Sequence, residues 1–239
     1  MSVNLENKVV VIAGGSSGIG LELTKQAVAL GAHVHVVGRS AERLALVQAS
    51  LGASVTTHCA DIGVEAEVEA LARAIPKVDH LVTTAAALVF KPFLETTRAE
   101  IDAMLGSKLL GPIHLVRHLA PRLASDGSIT FYSGLAAYKA NAGASIVAAV
   151  NAALDGLART LAVELAPIRV NVVSPGVVDS PTWDFLPSDA RAGVLQGIGE
   201  GLPVGRVGTA SELAQAGLFL MANGFATGTV LQIDGGANA

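Results

Sequence analysis

A chain of 239 residues with a formal net charge of −4, half of it apolar and only 4% aromatic, is sized for one α/β domain with a core of Val, Leu, Ile and Ala. Such a domain buries roughly three quarters of its unfolded surface. No block of Lys and Arg stands out, which argues against a nucleic-acid or anionic-membrane surface. Cys59 is the only cysteine, so there is no internal disulfide, and it reads as a small buried residue in a reducing cytosol.

The first strand is predicted over Val9–Ile12. Ala13-Gly14-Gly15-Ser16-Ser17-Gly18-Ile19-Gly20 then turns the chain into a helix over Ile19–Leu30. The three glycines at 14, 18 and 20 have separate tasks. One permits the tight turn, one lets a phosphate approach the backbone, and one lets helix and strand pack closely. The helix N-terminus offers unpaired N–H groups and a partial positive charge to a pyrophosphate.

A second strand over Val34–Val37 ends at Gly38-Arg39-Ser40. A carboxylate there would grip the two ribose hydroxyls of NAD, whereas the Arg39 cation suits a 2′-phosphate, so NADP(H) is expected over NAD(H). A helix over Glu42–Leu51 and a strand over Ser54–His58 lead to Cys59-Ala60-Asp61-Ile62. Asp61 either accepts from an adenine amino group or caps the helix over Val64–Ala74, and both roles stay open.

A fourth strand is predicted over His80–Thr83 and a long helix over Glu100–Leu119. His114 and His118 have an i, i+4 spacing suited to a metal, but no third ligand is evident. No metal site is therefore expected, and that helix face reads as a subunit contact. The fifth strand, over Ser128–Tyr132, is followed by Ser133 and by Tyr138-Lys139. The next helix, over Ser145–Leu165, carries almost no charge in its first three turns, which fits burial in a subunit interface.

The sixth strand, over Arg169–Val173, precedes an irregular stretch from about Pro175 to Gly208. That stretch is expected to be a mobile lid over the site. Its Val177, Val178, Trp183, Phe185, Leu186, Val194, Leu195 and Ile198 line either an apolar substrate pocket or the core. A helix over Ser211–Met221 and a strand over Val230–Ile233 complete the chain. The regular alternation of strand and helix argues for a parallel sheet covered on both faces, in one domain over residues 1–239. Ligands bind such sheets beyond the carboxyl ends of the strands, where the strand order reverses. The N-terminal residues lack the order of a signal peptide, and no stretch reaches about 18 uninterrupted apolar residues. A soluble, cytoplasmic protein is expected.

The glycine turn, Asp79-His80-Leu81-Val82, Ser174-Pro175-Gly176, Gly205-Arg206-Val207-Gly208 and Ile233-Asp234-Gly235-Gly236, in this order, resemble the short-chain dehydrogenase/reductase family over nearly the whole chain. The resemblance implies a seven-stranded Rossmann-type sheet and a homodimer or homotetramer built on the long fourth and fifth helices. It places Gly14, Ser16, Ser17, Gly18, Ile19, Gly20, Arg39, Ser40, Asp61, Ile62, Ala85, Asn151, Pro175 and Gly176 around an NADP(H) cofactor.

The family's chemistry rests on Asn, Ser, Tyr and Lys. The tyrosine moves the proton, the lysine lowers its pKa and holds the nicotinamide ribose, and the serine polarises the carbonyl. Matched by flanking residues, Asn151 takes the lysine's place, Val147 the tyrosine's, Gly134 the serine's and Lys108 the asparagine's. The family's Asn-Asn-Ala-Gly stretch reads Thr83-Thr84-Ala85-Ala86. Lys108 and Asn151 therefore form a reciprocal exchange that keeps an ammonium near the nicotinamide ribose. Ser133 and Tyr138 are the substitute polar groups, Tyr138 on the condition that its loop folds over the nicotinamide. Three functions follow: an NADP(H)-dependent oxidoreductase acting on a carbonyl or alcohol with a displaced proton donor, a catalytically silent NADP(H)-binding regulator or partner subunit, or a pocket for non-redox chemistry.

Overall fold

The computed structural model describes residues 3–184 and 186–239, with Ser188 described by its backbone alone. In chain order the elements are β1 (Val9–Ala13), α1 (Gly18–Ala29), β2 (His33–Gly38), α2 (Ala41–Leu51), β3 (Val55–Cys59), α3 (Glu65–Ala74) and β4 (Val78–Thr83). Next come α4 (Arg98–Leu105), α5 (Gly111–Leu119), β5 (Leu123–Tyr132), α6 (Ser145–Glu164) and β6 (Arg169–Pro175). Then follow β7 (Val178–Asp179), α7 (Ser188–Glu200), β8 (Gly208–Thr209), α8 (Ala210–Ala222) and β9 (Val230–Ile233).

Seven strands form one sheet in the order β3-β2-β1-β4-β5-β6-β9, and every pairing is parallel. Alternate residues of the same strand serve opposite faces. Val10 and Ile12 of β1 pack with Leu23 and Ala27 of α1 and Leu213 and Leu220 of α8. Val11 and Ala13 pack on the other side with Leu71 of α3, Leu115 of α5 and Leu154 of α6. Strands β1 and β4 are neighbours, so the chain reverses its direction of growth across the sheet between them. Their carboxyl ends, Ala13 and Thr83, mark the opening where a ligand binds in such folds.

Three expectations need correction. The stretch from about Pro175 to Gly208 is not wholly irregular, because it contains α7 and the short β7–β8 pair. Gly193, Gly197 and Gly199 hide that helix from a periodicity reading, since glycine carries no apolar signal. Phe185 of that stretch lies outside the described residues. The long helix predicted over Glu100–Leu119 is interrupted by a π-helical segment, Gly106–Leu110, between α4 and α5. Pro112 has no N–H for the carbonyl four residues earlier, and a widened turn accommodates the lost bond. Cys59 is exposed at the end of the edge strand β3, not buried. Among the described residues, α6 alone is long and apolar enough to cross a membrane, with a mean hydropathy of 1.5. Here Leu154 and Ala158 of that helix pack on the sheet beside Phe131 and Val172.

Candidate active site

Beyond the ends of β1 and β4 lies a cavity of about 500 Å³. Its floor is the glycine turn, Gly14, Ser16–Gly20, and one end is Val37–Ser40 with Arg43 and Ala60–Ile62. The wall continues through Thr84, Ala85, Ala86, Leu88 and Ser107, and Ser180, Pro181 and Thr182 close over it. At two positions of this turn a side chain has no room. A Cβ on Gly14, where φ is +85°, would lie 2.6 Å from the Ala85 nitrogen. One on Gly20 would lie 2.2 Å from the Gly14 carbonyl oxygen. Helix α1 can therefore start directly above the strand and aim its first N–H groups into the cavity. No acidic side chain stands in its first turn to compete for them.

At the far end, Arg39 Nη1 lies 3.8 Å from Asp61 Oδ2, and Arg43 stands on the same wall. Ser40 caps α2, its Oγ accepting from the Arg43 N–H at 3.2 Å. Asp61 is not the cap of α3, which begins after Val64. Its Oδ1 instead accepts from the Gly63 N–H at 2.9 Å, an Asx turn that holds the carboxylate on the cavity wall. The segment that closes over the cavity is held by its own side chains. Arg191 donates to Asp179 Oδ1 at 2.7 Å, to Asp184 Oδ1 at 2.8 Å and to the Ser180 carbonyl at 2.9 Å. Trp183 Nε1 donates to the Val178 carbonyl at 3.1 Å.

Gly14, Ser16, Ser17, Gly18, Ile19, Gly20, Arg39, Ser40, Asp61, Ile62 and Ala85 thus share one wall, whereas Asn151, Pro175 and Gly176 are not on it. Arg43, Ser180 and Thr182 were missed. Arg43 could have been found as the residue one helical turn beyond Arg39. Ser180 and Thr182 gave no sequence signal, because only the fold of the lid brings them over Gly18.

The polar groups at the other end lie behind the turn that follows β5. Lys108, in the π-helical segment, is 6% exposed and its Nζ donates to the Ser133 carbonyl at 3.0 Å. Asn151 Nδ2 approaches the next carbonyl, that of Gly134, at 3.5 Å. The two residues thus reach consecutive carbonyls of one turn from two helices. Burial depresses the Lys108 ammonium to about 8, while the nearby charge of Asp155 acts against the fall. The Tyr138 hydroxyl donates to Asp155 Oδ2 at 2.5 Å. Burial and that carboxylate raise it to about 12. Val147 is buried, as are Ser133, Asn151 and Asp155. Asp155 is not among the candidate site residues that the sequence singles out. Nothing marks it until α6 places it one turn beyond Asn151.

The two histidines of α5 are used locally. His114 Nδ1 is 3.0 Å from the Ile62 carbonyl, and His118 Nε2 is 3.0 Å from Glu65 Oε1. They tie α5 to Ile62 and to Glu65 at the start of α3. Among the described residues no three His, Cys, Asp or Glu side chains are placed to hold a metal.

Comparison with known proteins gives this geometry its context. Residues 13–238 match the model of a family described as enoyl-(acyl carrier protein) reductase. A tropinone reductase homolog of Arabidopsis thaliana is 33% identical, with 98% of this chain and 92% of that protein covered. The chain belongs to the short-chain dehydrogenase/reductase family. Carbonyl reductase family member 4 of Xenopus laevis is 31% identical, over 96% of this chain and 98% of that one. Among solved structures, a short-chain dehydrogenase/reductase described as glucose/ribitol dehydrogenase, from Brucella melitensis, superposes with a TM-score of 0.92 at 30% identity. It covers 99% of this chain and 98% of its own. A small-chain dehydrogenase in complex with NADPH superposes at 0.82 with 33% identity, covering 98% and 99%. Members of the family bind nicotinamide dinucleotides, and the short-chain dehydrogenase/reductase cavity found here fits one. Its glycine floor accepts a backbone-bound diphosphate, and its far end offers cations beside a carboxylate.

Proposed function

We propose that this protein binds NADP(H) in preference to NAD(H) and is an oxidoreductase acting on a carbonyl or alcohol through a non-standard active site. The observation that carries the reading is the pair Arg39 and Arg43 on the cavity wall beside the Ser40 hydroxyl, two guanidiniums where a 2′-phosphate would lie. The NADPH-bound relative supports it. On this reading the first N–H groups of α1 hold the pyrophosphate, Asp61 meets the adenine, and Ser180 and Thr182 cover the middle of the dinucleotide. The cofactor supplies a hydride when bound.

The family's four catalytic positions fall on Lys108, Gly134, Val147 and Asn151. An aliphatic Val147 has no proton to give, and general acid–base help is worth roughly 10²–10⁴ in rate. Lys108 is then a buried cation at this end, and Ser133 and Tyr138 supply hydroxyls there. A Tyr138 hydroxyl raised to about 12 and tied to Asp155 is a weaker acid than a free tyrosine. That supports the second reading, a catalytically silent NADP(H)-binding regulator or partner subunit. An apolar groove of about 480 Å³ between α5 and α6, lined by Ile113, Val116, Leu157 and Leu161, supports a homo-oligomer.

The test is NADPH oxidation against a panel of ketones, aldehydes and quinones, run on the protein and on the variant Lys108→Asn/Gly134→Ser/Val147→Tyr/Asn151→Lys. Turnover by the unaltered protein supports the oxidoreductase. Turnover by the variant alone supports the silent binder.

A further inference from the structure

Asp179 and Asp184 stand on either side of the residues that roof the cavity. Ser180, Pro181 and Thr182 line it, and two of them close on Gly18. A Cβ on that glycine would lie 3.4 Å from Pro181 Cδ and 3.8 Å from Ser180 Cβ. The backbone N–H groups of Trp183 and Asp184 donate to the Ser180 and Pro181 carbonyls, at 3.1 Å each, so 180–184 is one tight turn. Its two flanking carboxylates converge on a single cation from another element. Arg191, one turn into α7, gives Nη2 to Asp179 and to the Ser180 carbonyl, and Nη1 to Asp184. A guanidinium held by both its amino groups fixes direction as well as distance. Take the cation away, and two like charges are left facing one place, pushing the ends of the turn apart.

We infer that Arg191 is a positioning residue for the dinucleotide: its guanidinium latches the turn Ser180–Asp184 on Gly18 and so slows the release of a cofactor seated beneath it. Arg191 does not line the cavity and acts through Ser180, Pro181 and Thr182. The carboxylates of the latch face solvent, Asp179 at 56% exposure and Asp184 at 59%, so rising ionic strength weakens it. The inference rests on the proposed function for what is retained, whereas the latch itself is read without nucleotide.

Trp183 is the single tryptophan of the chain and lies inside the latched turn, so its fluorescence reads the turn directly. Acrylamide quenching of Trp183 is measured without nucleotide, and NADPH release by stopped-flow displacement with excess NADP⁺. The proteins compared are the unaltered chain, Arg191→Ala, Asp184→Asn and the double variant. Arg73→Ala, which breaks an ion pair of 2.8 Å on α3, is the control. Arg191→Ala should make quenching more efficient and speed release by about tenfold, the combined worth of two exposed pairs and one hydrogen bond. Asp184→Asn should give part of that effect and add nothing to Arg191→Ala, because both act through one contact. Arg73→Ala should change neither reading. A role in stability alone predicts a lower melting temperature, unchanged release and additive losses. Release from Arg191→Ala within about twofold of the unaltered protein overturns the inference. Unchanged quenching in that variant, or full additivity in the double variant, does so too. If NADPH does not bind at all, the proposed function falls and retention with it, while the quenching comparison still decides the latch.

Discussion

In the proposed reading Arg39 is the residue that reads the 2′-phosphate, and it has little of its own energy committed elsewhere. Its side chain is 64% exposed and its contact with Asp61 is long, at 3.8 Å, so the guanidinium is available to a phosphate. Arg39→Asp should weaken NADPH binding by about 10²-fold, the loss of a charge-assisted pair plus a new repulsion, and leave NADH within a few-fold. Arg43→Ala should weaken NADPH alone by about tenfold. Isothermal titration with both nucleotides checks each value. At the inner end, restoring the family's four side chains should raise carbonyl reduction by about 10² or more. Gly134→Ser is feasible there because the nearest atoms to the new Cβ belong to the Asn151 amide, at 3.0 Å, and Asn151 is itself replaced.

Elements fix these residues through close contacts that tolerate no change. Gly20→Ala would drive a methyl into the Gly14 carbonyl, so α1 must lift from the strand. Loss of nucleotide binding together with a lower melting temperature is the expected result. At the opposite end of the sheet Arg169 plays a comparable part. Buried at 8% exposure, it donates to the carbonyls of Leu220, Met221, Asn223 and Ala226 and so closes the C-terminus of α8. Arg169→Met should cost about 3 kcal/mol by leaving those carbonyls unpaired. The urea midpoint should fall with an unchanged slope.

The elements themselves were largely legible. The apolar run Val9–Ile12 and the valine-rich Arg169–Val173 mark buried parallel strands whatever surrounds them. What sequence did not give was the π-helical turn at Lys108, the helix α7 and the meeting of Asp155 with Tyr138. Pro112 forbids one helical bond without saying how the helix will take up the loss, glycines leave α7 no periodic trace, and the Asp155–Tyr138 contact depends on how the loop after β5 meets α6.

Across the whole molecule, burial of uncharged imidazoles ties stability to pH. His80 is enclosed in β4 with its Nδ1 2.8 Å from Ser128 Oγ, and burial first, then Arg169, holds it down to about 4. On the β2–β3 face, His35 Nδ1 is 2.9 Å from His58 Nε2, and burial and the His58 charge hold His35 at about 4. The unfolded chain takes up these protons near pH 6.5, the folded one only near 4. Their contribution is therefore complete above 6.5 and is lost as pH falls towards 4. His80 accounts for on the order of 3 kcal/mol of that fall. Partly exposed His35 adds less, being screened by solvent. Asp79, buried beneath Lys8 and Lys77, is pushed up by burial but held lower overall by the Val9 N–H and Lys8. Its share persists above about pH 4 and is lost below it. Urea midpoints at pH 7, 5.5 and 4.5 should decline steadily, and His80→Gln should flatten the decline.

As proposed, the cavity above β1 and β4 is an NADP(H) site read by Arg39. The most direct measurement is titration of the protein with NADPH and with NADH, followed by nicotinamide fluorescence and melting temperature. Micromolar NADPH binding, about −8 kcal/mol, with NADH at least tenfold weaker is the predicted result. Equal affinity for the two nucleotides would contradict the role given to Arg39 and Arg43. Binding of neither would contradict the site.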